Sequence, residues 1–156
     1  MRFLHKLIVT AFGLGYSPIA PGTVGALGGC VSAILLWKYT AYPNVLLAFL
    51  ILLFLFFGIY CSTKMEQEWG KDPSKIVIDE VVGMWISLWL IPSGWEYFVL
   101  AFVLFRLFDI YKPFFIKKVE LLKGGWGVMM DDVLAGIYTN VVIQLANAIL
   151  ISTKGN

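Results

Sequence analysis

Charges are confined to a few points along the chain, and long apolar runs lie between them. No Asp, Glu, Lys or Arg stands between Lys6 and Lys38, between Lys38 and Lys64, between Glu80 and Glu96, or between Asp132 and Lys154. A helix that crosses a bilayer needs about 20 mostly apolar residues. Residues 44–62 (NVLLAFLILLFLFFGIYCS) form the clearest such run, and residues 133–152 the second. Residues 23–37 are shorter, and Gly25, Gly28 and Gly29 suit close helix packing more than lipid. Residues 76–91 and 96–111 predict a helical hairpin around Pro92-Ser93-Gly94. Each arm would be about 24 Å long, so both are expected inside the bundle with their charged ends near the interface. Arg2 and Lys6 precede an apolar stretch that runs straight into Gly13, Gly15, Pro18 and Pro21, which suits an interfacial helix better than a cleaved leader. The pattern therefore predicts an all-α fold and one domain over residues 1–156. It also predicts a polytopic membrane bundle with about five membrane helices plus an N-terminal interfacial helix. Four spans result if 23–37 is re-entrant.

Composition strengthens this reading. Hydrophobic residues make up 60% of the chain and charged residues 14%, with a mean hydropathy of +0.83. A soluble domain is nearer half apolar and a quarter charged. A core this small cannot hide the excess, whereas lipid can solvate it. The net charge of +2 is too small to argue for nucleic acid. Cys30 and Cys61 sit in apolar runs and read as small buried hydrophobes. His5 is the only histidine, which argues against a His-based metal site or a Ser-His triad.

With five spans, the segments 12–22, 63–75 and 111–130 fall on one face. That face holds Lys64, Lys71, Lys75, Lys112, Lys117, Lys118 and Lys123, with Arg2 and Lys6 nearby, while Lys38 and Lys154 lie opposite. The positive-inside rule makes the first face cytoplasmic.

Ionisable residues at membrane depth are costly and usually functional. Asp79 and Glu80 open the third span, Arg106 and Asp109 close the fourth, and Asp131 and Asp132 open the fifth. The topology delivers all three groups to the cytoplasmic layer. Carboxylates crowded in one layer repel one another unless a cation compensates. Magnesium prefers oxygen ligands and often combines a few carboxylates with a substrate phosphate. The chemistry this implies is phosphoryl transfer or phosphate-ester hydrolysis, with Mg2+ polarising the phosphoryl oxygens.

The metal candidates are Glu80, Asp79, Asp132 and Asp131. Glu80 shares a helical stripe with Gly83 and Ser87, and Asp132 shares one with Ala135, Gly136 and Thr139, so both are expected to face the bundle. Asp79, Asp109 and Asp131 are the catalytic candidates, as ligands, as groups behind the ligands or as general base. Acidic residues at helix starts also have a plain electrostatic explanation. Arg106 can pair with Asp109 one turn away or offer its planar fork to a phosphate. Lys112 and Lys71 are further phosphate candidates. Gly22 and Thr23 end a Gly- and Pro-rich loop at a helix start, where free N–H groups suit phosphate. Gly124, Gly125 and Gly127 form a second such loop. Trp37, Tyr39, Trp95, Tyr97 and Trp126 read as interfacial anchors. Glu66, Glu68 and Glu120 read as solvated loop charges.

Four stretches in order, 17–27 (SPIAPGTVGAL), 71–84 (KDPSKIVIDEVVGM), 105–113 (FRLFDIYKP) and 124–136 (GGWGVMMDDVLAG), resemble bacterial phosphatidylglycerophosphatase A. The resemblance implies magnesium-dependent hydrolysis of phosphatidylglycerophosphate to phosphatidylglycerol and inorganic phosphate at the bacterial inner membrane. It implies that Asp79, Glu80, Arg106, Asp109, Asp131 and Asp132 belong to the active site.

Other chemistries fit less well. Cysteine phosphatases need Arg six residues after the nucleophile, where Leu36 and Gln67 stand. The aspartyl-phosphate Asp-x-Asp pattern is not that of Asp131-Asp132. The alternative from a different class is a small membrane cation transporter or channel. Such proteins usually place their sites near the midplane, whereas these charges gather at helix ends.

Overall fold

The computed structural model describes residues 2–70 and 73–154. Among these residues there are helices and turns and no strands. The helices are α1 (Arg2–Val9), α2 (Pro21–Tyr39), α3 (Pro43–Trp69), α4 (Ile78–Leu88), α5 (Trp95–Tyr111), α6 (Ile116–Val119) and α7 (Gly125–Lys154), with a 3-10 turn at Leu14–Tyr16. The all-helical expectation holds. The expected contribution of Lys71 lies outside the described residues.

The helices alternate in direction. The backbone N–H of Gly125, at the start of α7, donates to Thr63 Oγ1 near the end of α3 at 2.8 Å. These two helices are therefore antiparallel. Trp85 Nε1 of α4 donates to Ser32 Oγ of α2 at 2.9 Å and to Gly29 O at 3.1 Å. Gly25 lies against Val77 and Gly29 against Val81 and Met84, so α2 and α4 run parallel. Along α5 and α7, Tyr97 OH donates to Asn147 Oδ1 at 2.9 Å, and Phe108 meets Tyr138 edge-on at 6.1 Å. That pair is antiparallel. The starts of α2, α4 and α7 and the ends of α3 and α5 therefore share one end of the bundle.

Two of the described helices, α3 and α7, are long and apolar enough to cross a membrane, with mean hydropathies of 2.7 and 1.7 in their most apolar windows. Only 22% of each window is buried, unlike the core helix of a soluble protein. Large apolar side chains such as Leu52, Phe56 and Ile149 point outward. The figure of about five membrane helices does not follow from length and composition.

The expected third span is shorter than its apolar run. α4 has 11 residues, about 16 Å, too short for a hydrocarbon core. It is the buried centre of the bundle, with Ile78, Val82, Met84 and Leu88 almost fully enclosed. Its C-terminal carbonyls are met from another helix. Asn140 Nδ2 of α7 donates to Ile86 O at 3.0 Å, Ser87 O at 3.3 Å and Trp89 O at 2.7 Å. Helix ends leave such carbonyls without partners, and lipid supplies none. The side chain of Asn140 thus lets α4 stop inside the bundle.

Two other boundaries differ from expectation. α7 starts at Gly125, so the stretch read as a glycine loop is its first turn. α3 continues to Trp69 and takes Glu66 and Glu68 into the helix. Glu68 is no free loop charge: Lys6 Nζ of α1 pairs with its Oε1 at 2.6 Å and lies 5.5 Å over the Trp69 ring. This pair ties α1 to the end of α3 and engages Lys6, expected to face head groups. Cys30 and Cys61 are both buried, as expected. The end of α1 is held to the residue that precedes α4 by Val77 N–H donating to Val9 O at 2.8 Å.

Candidate active site

Two helices must come unusually close for the acidic groups to meet. At Gly136 of α7 an added Cβ would collide with Gly83 O of α4, and at Gly83 it would lie 2.7 Å from Asp132 O. Backbones can approach this closely only where side chains are missing. The contact brings Asp132, in the second turn of α7, beside the first turn of α4, which carries Asp79 and Glu80.

Each of Asp79, Glu80 and Asp132 offers one carboxylate oxygen, and the three oxygens lie within 4.8 Å of one another. Asp79 is 7% exposed and Asp132 3%. Among the described residues, Asp79 Oδ1, Glu80 Oε2 and Asp132 Oδ1 are buried without hydrogen-bond partners. Buried polar groups normally have partners, and three carboxylates this close are costly uncompensated. The donor set is all oxygen and anionic, which fits a hard divalent cation. The helix-start explanation applies to Asp79 and Glu80 of α4. It does not apply to Asp131 and Asp132, which lie beyond the first turn of α7.

Arg106 and Asp109 come from the last turns of α5. Arg106 Nη1 meets Asp109 Oδ2 at 2.5 Å, while its buried Nε has no partner among the described residues. Glu80 interacts electrostatically with both Asp109 and Arg106, and Asp109 also faces Asp132. Gly22, in the first turn of α2, borders the same space: an added Cβ there would collide with Glu80 Oε1 and lie 3.4 Å from Arg106 Nη1. Thr23 follows it, half-buried in the same turn.

Asp131 and Lys112 form a neighbouring pair. Lys112 caps α5 in the left-handed region at φ 46°. Its Nζ lies 2.7 Å from Asp131 Oδ2 and 3.3 Å from Glu120 Oε1. Asp131 Oδ1 accepts the backbone N–H of Asp132 at 3.1 Å. Burial works against the Lys112 charge, but the two carboxylates more than offset it and hold the ammonium protonated well above the ordinary lysine range. A cavity of about 270 Å³ opens beside Asp131, bordered by Glu66, Glu120, Lys123 and Gly127.

The structure therefore brings Asp79, Glu80, Asp132, Asp109, Arg106 and Gly22 to one place, with Asp131 and Lys112 adjoining. Sequence reasoning missed Glu120 as a partner of Lys112, since an acidic residue in a lysine-rich segment carries no local sign of its contact. It also missed Asn140, whose contacts lie more than 50 residues away.

Residues 7–147 match the family profile described as phosphatidylglycerophosphatase A. The chain belongs to the phosphatidylglycerophosphatase A family. Among its relatives, a phosphatidylglycerophosphatase A of Haemophilus influenzae is 42% identical and covers 88% of this chain and 85% of its own. One from Escherichia coli is 36% identical, over 84% and 76% respectively. A Bacteroides thetaiotaomicron protein, named as a candidate phosphatidylinositol-3-phosphatase, is 48% identical over 95% and 96%. No solved structure gives a significant match. Membership of the phosphatidylglycerophosphatase A family makes this chain a phosphatase acting on a phosphate monoester. Its matched segment spans every residue gathered at this end of the bundle.

Proposed function

We propose that the protein is a magnesium-dependent phosphatase that removes the terminal phosphate of phosphatidylglycerophosphate at the cytoplasmic face of a bacterial inner membrane. The observation that carries this reading is the meeting of the Asp79, Glu80 and Asp132 carboxylates beside Arg106, each with one buried oxygen that has no hydrogen-bond partner among the described residues. These three residues would hold Mg2+. When bound, the ion would neutralise charge on the phosphoryl oxygens and lower the pKa of a water.

The remaining groups have complementary tasks. Arg106 offers its unused Nε and the rest of its fork to the phosphate. Asp109 orients that guanidinium through their ion pair. Asp131 orients Lys112, a second cation at the rim. Gly22 and Thr23 present the start of α2 to the same anion. Hydrolysis forms a bond from water oxygen to phosphorus, breaks the bond to the glycerol oxygen, and moves one proton from water towards the departing alkoxide. Asp79 is the carboxylate assigned to receive that proton first.

The membrane arrangement belongs to the same proposal. α2, α3, α5 and α7 would cross the bilayer around the shorter α4. Lys64, Lys75, Lys117, Lys118 and Lys123 lie towards the site end and Lys38 towards the other, which supports a cytoplasmic site. Such a site at one end of the bundle does not favour a transporter.

A second substrate reading is supported by the Bacteroides relative: a phosphate on an inositol lipid. A panel of phosphatidylglycerophosphate, phosphatidylinositol 3-phosphate and phosphatidate, assayed for phosphate release in detergent, separates the readings. The first substrate should give the highest kcat/KM. A preference for the inositol lipid would replace the substrate, and no release from any of them would overturn the lipid-phosphatase reading.

A further inference from the structure

The outer surface where α2 and α5 meet is a groove of about 440 Å³. Leu27, Cys30 and Ile34 line it from α2, and Trp95, Val99 and Phe102 from α5. No charged side chain lines it. Leu27, Ile34, Trp95 and Val99 are exposed. Phe98, between Trp95 and Phe102 on the α5 wall, is braced edge-on by Trp37 at 4.8 Å.

Both walls of the groove point along their helices towards the acidic site. On α5, Trp95, Phe102 and Arg106 fall at helical spacings of seven and four residues, so one stripe leads from the groove wall to the phosphate-facing arginine. On α2, Ile34, Leu27 and Thr23 repeat those spacings and lead to the turn that holds Gly22. Gly22 and Arg106, one from each helix, are neighbours where the stripes meet the site. The apolar wall from Trp95 to Arg106 is about 16 Å long. A second apolar groove, lined by Leu52, Ile86 and Val141 among others, lies between α3, α4 and α7 and is not bordered by α2 or α5, which carry Gly22 and Arg106.

We infer that the α2–α5 groove is the acyl-chain site of the lipid substrate: a phospholipid reaches the site sideways from the bilayer, its chain along Leu27, Ile34 and Phe102 and its phosphate at Arg106. This rests on the lipid-phosphatase reading. It adds a reason for the position of the site, since the phosphate stays at the interface while the chain never leaves an apolar surface. A bulk lipid would touch every outward face alike.

The test uses the full-length protein in phosphatidylcholine nanodiscs with phosphatidylglycerophosphate carrying a photoreactive diazirine in mid-chain. Peptide mapping should find the label concentrated on residues 27–34 and 95–102, and unlabelled phosphatidylglycerophosphate should displace it. Equal labelling of the outer face of α3, or labelling that the competitor leaves unchanged, overturns the inference. A second arm compares Ile34→Trp and Leu52→Trp with the parent chain on six-carbon and eighteen-carbon substrates. Ile34→Trp should cut kcat/KM on the long-chain lipid about tenfold relative to the short one, while Leu52→Trp keeps the parent ratio. An unchanged ratio in Ile34→Trp contradicts the inference. Release from the short-chain lipid tests the enzymatic reading separately, because labelling does not depend on turnover.

Discussion

The carboxylate of Glu80 occupies the space that a Cβ on Gly22 would need. The first turn of α2 is thus packed against a candidate metal ligand, and the missing side chain makes room for that ligand.

Gly22→Ala follows directly. The colliding atom is the end of a flexible side chain, so the fold can adjust, and alanine in a helix is itself favourable by about 0.5–1 kcal/mol. The melting temperature in detergent should therefore fall little or not at all. Glu80 must move, and disturbing the support of a metal ligand typically costs about 10–100-fold in affinity or activity. Titrating magnesium against phosphate release should show a higher requirement in Gly22→Ala. A parent-like magnesium curve would remove Glu80 from the ligand set.

Gly136→Ala should behave in the opposite way. Here the added Cβ meets the Gly83 carbonyl, which is backbone and cannot swing aside. Overpacking of this kind costs roughly 1–3 kcal/mol. Thermal unfolding should come earlier, and activity should drop because α7 carries Asp132 away from Asp79 and Glu80.

Asn140→Leu keeps the number and branching of side-chain heavy atoms but removes the donor that serves Ile86, Ser87 and Trp89. The bonds to Ile86 and Ser87 are part-buried and the one to Trp89 is exposed, so the loss should be about 1 kcal/mol and the melting temperature should fall modestly. A melting curve that matches the parent would mean that water or other groups serve the end of α4 equally well.

These cases also show what the sequence could and could not convey. The charge-free stretches located α3 and most of α7, because lipid exposure demands unbroken apolar runs. Alternating helix direction then put Asp79, Asp109 and Asp132 at one end without any knowledge of contacts. The end of α4 was hidden, since the residues after Leu88 stay apolar and the cap is Asn140, far along the chain. The start of α7 was hidden for a different reason. Gly124, Gly125 and Gly127 look like a loop, yet Gly125 allows α7 to press on the Ile59 carbonyl of α3. Local residue preference suggested flexibility where tertiary packing required small size.

Lys112 bears on pH dependence. Its folded pKa is raised, so its stabilising pairs are complete below the unfolded value of about 10.4 and are lost only when pH rises through the folded one. Between about pH 6 and 9 it should contribute no titration. Lys112→Met leaves the Asp131 carboxylate without its ammonium, and removing one partner of a buried pair is worse than removing both. Unfolding of Lys112→Met should therefore be easier than that of the double variant Lys112→Met/Asp131→Asn. The reverse order would show that the Asp131 carboxylate is tolerated without the ammonium.

The central claim is that Asp79, Glu80 and Asp132 hold one divalent cation for phosphate-ester hydrolysis. Its most direct test is phosphate release from phosphatidylglycerophosphate by the parent chain and by Asp132→Asn, each titrated with magnesium and with EDTA, alongside melting curves. The account predicts parent activity that EDTA abolishes and magnesium restores, and a folded Asp132→Asn variant without activity. Full release in EDTA, or a parent-like rate from Asp132→Asn, would contradict it.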